Sequence, residues 1–118
     1  MKFDLIFLDK LQAILAAFDS VSLESGPRSV LHNKAIGGKR RSAHISGQAA
    51  DLIFDTPAAL RLGAQLAINL GCTGVEVDLG NYHLHIDTKE RNVAWHVVRN
   101  KNDAETSLLD WLASSSSI

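Results

Sequence analysis

This 118-residue chain has one cysteine, Cys72. A single thiol excludes an intrachain disulfide and any metal site built from cysteine alone. Cys72 follows Gly71 at the end of an apolar run, so it reads as a small buried hydrophobe. Proline is scarce, and both residues mark boundaries: Pro27 within the turn Ser25-Gly26-Pro27, and Pro57 behind Thr56 at a helix start. Long hydrophobic runs are missing, and nothing approaches the ~20 apolar residues of a membrane span. The apolar start, Met1 to Lys10, is broken by Asp4, Asp9 and Lys10. It lacks the uninterrupted core and small-residue cleavage site of a secretory signal. The expectation is a protein made and kept in the cytoplasm unless something else releases it. Acidic residues are absent between Ser25 and Ala50, where Arg28, Lys34, Lys39, Arg40 and Arg41 fall. No aromatics interleave with these cations, which argues against nucleic-acid binding. A solvated loop is the plainer reading; a cationic rim beside a site for anionic substrate is the sharper one.

What the chain does have is an ordinary globular composition, 46% hydrophobic and 21% charged, with a net charge of −1. One domain spanning 1–118 follows, large enough to bury a core without staples. Leu5, Leu8, Leu11, Ile14, Leu15 and Phe18 predict an amphipathic helix over 4–19. Val21–Leu23 is a strand candidate, and 29–36 a short helix candidate closed by Gly37-Gly38. A strand is expected over Ala49–Phe54, then a helix from Thr56-Pro57 to Leu70, ended by Gly71. Val75–Asp78 and Tyr82–Asp87 alternate as half-buried strands do, with Gly80-Asn81 as a tight turn between them. Asn92–Val98 reads as another strand, Asp103–Ala113 as a terminal helix, and 113–118 as a frayed tail. The late strands look antiparallel. The class is α+β, an antiparallel sheet packed against helices.

Two polar clusters stand out, Ser42-Ala-His44 with Asp51, and His83-Leu-His85-Ile-Asp87. Two imidazoles and a carboxylate brought together from them make a catalytic-type zinc site, with a fourth position open for water. Strand alternation puts Tyr82, Leu84 and Ile86 on a core face, and His83, His85 and Asp87 on the other. A two-residue turn then sets Asp78 opposite His83 and Glu76 opposite His85; a slip of one residue reverses every face. The plainer reading of His83 and His85 is a solvated strand face. Agreement of two histidines, three acids and the upstream pair favours a site. Asp51 lies among Ala49, Ala50, Leu52 and Ile53, so its charge needs a partner. His32 reads as loop surface and His96 as the polar side of a strand.

The pattern Ser25-Gly-Pro-Arg-Ser29, Asn33, Gly37-Gly38, then Ser42-x-His44-x-x-Gly47-x-Ala49-Ala50-Asp51 resembles the zinc D-alanyl-D-alanine carboxypeptidase family. It is most similar to the small peptidase domain of phage and bacterial peptidoglycan hydrolases. His85-Ile-Asp87-Thr88 and Trp95 resemble that family's later segment, so the likeness runs from the first helix to about Trp95. It implies the fold shared with the Hedgehog signalling domain, and Zn2+ held by His44, Asp51 and His85. It implies that Arg28 contacts the substrate or a developing oxyanion. The implied substrates are peptidoglycan stem peptides or cross-links, met after release from a cell or from within a virion, as a phage or prophage setting allows.

Each role has its own physical support. Zinc brings the pKa of bound water to ~7 and polarises a carbonyl. A guanidinium only donates and stays charged, which suits an oxyanion or a carboxylate. Better-understood relatives place a basic carboxylate three residues before the last zinc histidine; here that residue is Tyr82. The general base is then one of Asp87, Glu76 and His83. Asp87 has the alternative role of orienting a zinc histidine, and His83 that of stabilising an oxyanion. The missing acid also supports a different class of protein, a relative that keeps the fold and zinc but only binds wall peptides.

Overall fold

The structure is a computed structural model that describes residues 3–25, 46–102 and 104–114. The helix candidate at 29–36, together with Arg28, His32 and His44, lies outside the described residues. Helix α1 covers Leu5–Ala16. Asp4 caps it, accepting a hydrogen bond from the Phe7 amide at 3.1 Å, and Phe7, Leu11 and Ile14 form its buried stripe. Strands β1 (Val21–Ser25) and β2 (Ala49–Phe54) precede helix α2, Pro57–Asn69. Thr56 caps α2 through its hydroxyl, which accepts from the Ala59 amide at 3.1 Å. Gly71 follows in the left-handed region at φ 87°, as a helix terminator does. Strands β3 (Gly74–Asp78), β4 (His83–Asp87), β5 (Trp95–Arg99) and β6 (Glu105–Ser107) come next, then a short helix α3, Leu108–Ser114.

The six strands form one sheet in the order β1-β2-β4-β3-β5-β6. Its inner face buries Ala50, Leu52, Phe54, Val75, Val77, Leu84, Ile86 and Val98 against Phe7, Leu11 and Ile14 of α1, Leu60, Ala64 and Ala67 of α2, and Leu108. Each fully buried Leu, Ile or Phe contributes about 1.5–3 kcal/mol. Cys72 joins this core at 2% exposure, and burial pushes its thiol up to about 11. Gly63 lets α2 approach the sheet: a Cβ there would stand 2.6 Å from Cζ of Phe54. Arg61 ties α3 down, donating to the carbonyls of Trp111 and Leu112 at 2.9 and 3.3 Å while lying 3.9 Å over the Trp111 ring. No helix among the described residues is long and apolar enough to cross a membrane.

The α+β class therefore holds, with four differences in detail. The sheet is mixed, because β5 runs parallel to β3. Alternation reports which face a residue takes, not the direction of the neighbouring strand. Residues 105–107 form an edge strand rather than the start of a helix. Asn100 reverses the chain there, its side-chain oxygen accepting from the amides of Asn102 and Ala104 at 2.8 and 3.1 Å. The terminal helix starts only after Ser107, whose hydroxyl accepts from the Asp110 amide. Tyr82 is not core: it is a left-handed turn residue with φ 53° and 38% exposure. His96 lies on the inner face with Val98, two residues away, and its Nε2 is 2.9 Å from the Cys72 carbonyl.

Candidate functional site

The outer face of the sheet carries the polar residues in register. Asp51 of β2 pairs with His85 of β4, which pairs with Glu76 of β3. One step along, Ile53 pairs with His83 and His83 with Asp78. This is the register expected of a two-residue turn, although the connection spans residues 79–82. An even number of connecting residues preserves the parity. The Asp78 carboxylate shapes that turn by accepting from the Gly80 amide at 2.9 Å.

Asp51, His83 and His85 meet in the middle of this face. Asp51 Oδ1 lies 3.0 Å from His85 Nδ1 and 3.4 Å from His83 Nε2. The expectation that Asp51 needs a partner is met by these two rings. The other side of the His85 ring is engaged as well, with Nε2 2.7 Å from Asp87 Oδ2. Asp87 is 1% exposed. Arg91 grips it with both terminal nitrogens, Nη2 donating to Oδ2 at 3.0 Å and Nη1 to Oδ1. The Lys89 amide also donates to Oδ1 at 3.1 Å. Trp95 closes this end, its ring edge-on to His85 with centroids 6.1 Å apart.

Glu76 and Glu24 complete the surroundings. The Glu76 carboxylate accepts from Arg99 Nη2 at 3.1 Å. Glu24 Oε2 lies 3.8 Å from His83 Nε2. The register of β1 against β2 shifts between Leu23 and Ser25, which leaves Glu24 as the extra residue of a bulge. Bulges re-aim side chains in this way beside functional sites.

The electrostatics follow from the contacts. Burial alone would push His85 down, but the hydrogen bonds and charges of Asp51 and Asp87 overcome it and raise it to about 9. His83 is also raised: its burial penalty is outweighed by Asp51 and Glu24. Burial would push Asp87 up, but His85 and Arg91 hold its carboxyl far below the usual range.

The arrangement around His85 suits a cation. With Nε2–H donating to Asp87, the Nδ1 lone pair points at a carboxylate oxygen of Asp51. Two such electron pairs at 3.0 Å are compatible only with a proton or a metal ion between them. Two donors held by one tetrahedral zinc at 2.0–2.1 Å stand roughly 3.3 Å apart, close to the spacing found. A ligating histidine whose second nitrogen donates to a carboxylate is also the usual outer arrangement of zinc sites. Among the described residues no three His, Cys, Asp or Glu groups converge as a metal-binding set. The third expected ligand, His44, and the expected oxyanion partner, Arg28, fall in the stretch outside them.

Glu24, Gly74 and Arg91 are the site residues that sequence reasoning missed. Glu24 reads as an ordinary strand acid until the bulge is seen. Gly74 and Arg91 gain meaning only from their position against Asp87. The spacing of Asp87 and Arg91, four residues with no helix between them, carries no signal by itself.

A family model described as Peptidase M15 matches residues 4–87. That span contains Arg28, His44, Asp51, Glu76, His83, His85 and Asp87. A comparison with curated proteins found no match.

Proposed function

The chain belongs to the Peptidase M15 family, and from that premise we propose that it is a zinc metallopeptidase hydrolysing an amide bond in peptidoglycan peptides. The observation that carries the metal part is the facing pair, His85 Nδ1 and Asp51 Oδ1 at 3.0 Å, with Nε2 occupied by buried Asp87. Asp51 and His85, with His44 as third ligand, would hold the ion. Zinc supplies Lewis-acid polarisation of the scissile carbonyl and a water acidic enough to react at neutral pH.

The chain's own groups divide the remaining work. Asp87 and Arg91 keep the His85 ring in one orientation and one tautomer. Glu76 is committed to Arg99, and Asp87 to Arg91 and His85. His83 is then the best-placed of the three base candidates. It shares the face with Asp51, is 21% exposed at its side chain, and an imidazole can both accept and return a proton. We assign it the proton transfer between attacking water and leaving amine. Arg28 supplies a fixed positive charge for the substrate carboxylate or oxyanion. His83→Gln is expected to lower kcat by about 10²–10⁴-fold while zinc binding stays intact. Unchanged kcat in that variant would return the base role to Glu76 or Asp87.

One observation favours a second reading, a non-catalytic wall-binding relative: Tyr82 stands where the acid of better-understood relatives is expected, and it sits in the turn rather than on the polar face. Digestion of purified peptidoglycan decides between the two. The zinc-loaded protein should release peptides or amino acids whose masses identify the bond, and a chelated sample should release none. Bound zinc with no products would establish the binding module instead.

A further inference from the structure

Around Asp87 the sheet is built to admit a carboxylate. Gly74 is its direct ladder partner on β3. A Cβ at Gly74 would stand 2.2 Å from Asp87 Oδ2, so any larger residue would displace the oxygen that meets His85 Nε2. Beyond Gly74, Trp95 is the next residue in the row. Arg91 comes back over this gap from the loop after β4. Besides its two contacts to Asp87, it donates to the Thr73 hydroxyl at 3.1 Å and lies 5.7 Å over the Trp95 ring. The Thr73 hydroxyl in turn donates to the Lys89 carbonyl at 2.6 Å, fastening the loop that carries Arg91.

We infer that Arg91 is a positioning residue for the metal site, acting through Asp87 on the orientation of His85. The inference rests on the zinc reading above. A solvated arginine would neutralise Asp87 equally well; what the geometry adds is direction. The planar guanidinium fits a carboxylate with two parallel donors and fixes its plane. With that plane fixed, Oδ2 is held against Nε2, and His85 presents Nδ1 toward Asp51. Gly74 leaves room for the carboxylate, and Trp95 flanks both Arg91 and His85. Loss of the clamp frees the carboxylate to rotate and the imidazole with it. Lysine at 91 would keep the charge but not the two parallel bonds.

The test is zinc affinity, measured by competition with a chromophoric chelator on the full chain. It compares wild type, Arg91→Gln, Arg91→Lys, Asp87→Asn and the double variant Asp87→Asn/Arg91→Gln, with near-UV circular dichroism as the check of fold. Arg91→Gln is expected to weaken zinc binding by about 10–100-fold, with Arg91→Lys failing to restore it. In the Asp87→Asn background the same change should cost nothing further, because the path through Asp87 is already cut. Wild-type affinity in folded Arg91→Gln, full rescue by lysine, or losses that simply multiply in the double variant would each overturn the inference. Failure of both Arg91 variants to fold would do the same, by making Arg91 a folding residue. Absence of zinc binding in wild type would instead overturn the zinc reading itself.

Discussion

Asp51→Ala and His85→Ala are each expected to abolish zinc binding and peptidoglycan cleavage. Both residues sit on the outer face, opposite one another on β2 and β4. Neither belongs to the hydrophobic cluster that holds the sheet to its helices. Removing one should therefore leave the fold standing while removing one of three proposed ligands. The effect should exceed the ~10–100-fold that an outer contact carries, and activity should fall to background. The isosteric variant Asp51→Asn controls for shape, since it keeps the volume beside His83 and His85 but loses the anionic donor. Equilibrium dialysis with zinc and product analysis by mass spectrometry read both consequences. Full activity in Asp51→Asn at equal purity would end the ligand assignment. His44→Ala should behave alike, and it tests the part of the set that lies outside the described residues.

Zinc affinity should climb steeply with pH. In the metal-free protein the His85 imidazole is held protonated up to about 9 by Asp51 and Asp87, against the burial that would lower it. A metal must take the place of that proton. Binding at neutral pH should then release close to one proton per ion from this residue, and affinity should rise about tenfold per pH unit until about 9. Calorimetry in two buffers of different ionisation enthalpy counts the protons; an affinity flat from about pH 6 to 8 would refute the exchange. Stability carries the same signature. The folded-state value of His85 is raised, so the metal-free protein gains stability that is fully present below about 6.5, the ordinary histidine value. That stability is lost as pH rises through about 9. The melting temperature of the metal-free protein should drop over that window. The zinc-bound protein should not show the drop, because its imidazole stays neutral, with Nδ1 on the metal and the Nε2 proton donated to Asp87.

Much of the site was legible because strand alternation is a local property. His83, His85 and Asp87 share a face by parity alone, and Asp51 betrays itself as a charge among alanines and leucines. The pairing of Asp78 with His83 and Glu76 with His85 followed once the turn was known to preserve parity. The failures share a cause too. Tyr82 has the alternation of a core residue, but the turn takes it into the left-handed region. His96 looks polar-facing until β5 is placed, whereupon its neighbour Val98 fixes the face. Residues 105–107 have helical company in the sequence, yet the Asn100 side chain turns the backbone into an edge strand first.

The sequence by itself determined the α+β class, the helix start at Thr56-Pro57, the faces of β4, and the residues that match the Peptidase M15 pattern. These depend on neighbours within a few positions, where backbone sterics and side-chain periodicity act directly. Only the tertiary structure decided that β5 runs parallel to β3, that a bulge brings Glu24 toward His83, and that Gly74 clears a space which Asp87 fills and Arg91 clamps. Those relations join strands and loops far apart along the chain. They are fixed by which backbones pair and how closely they approach, and no local pattern of residues encodes that distance.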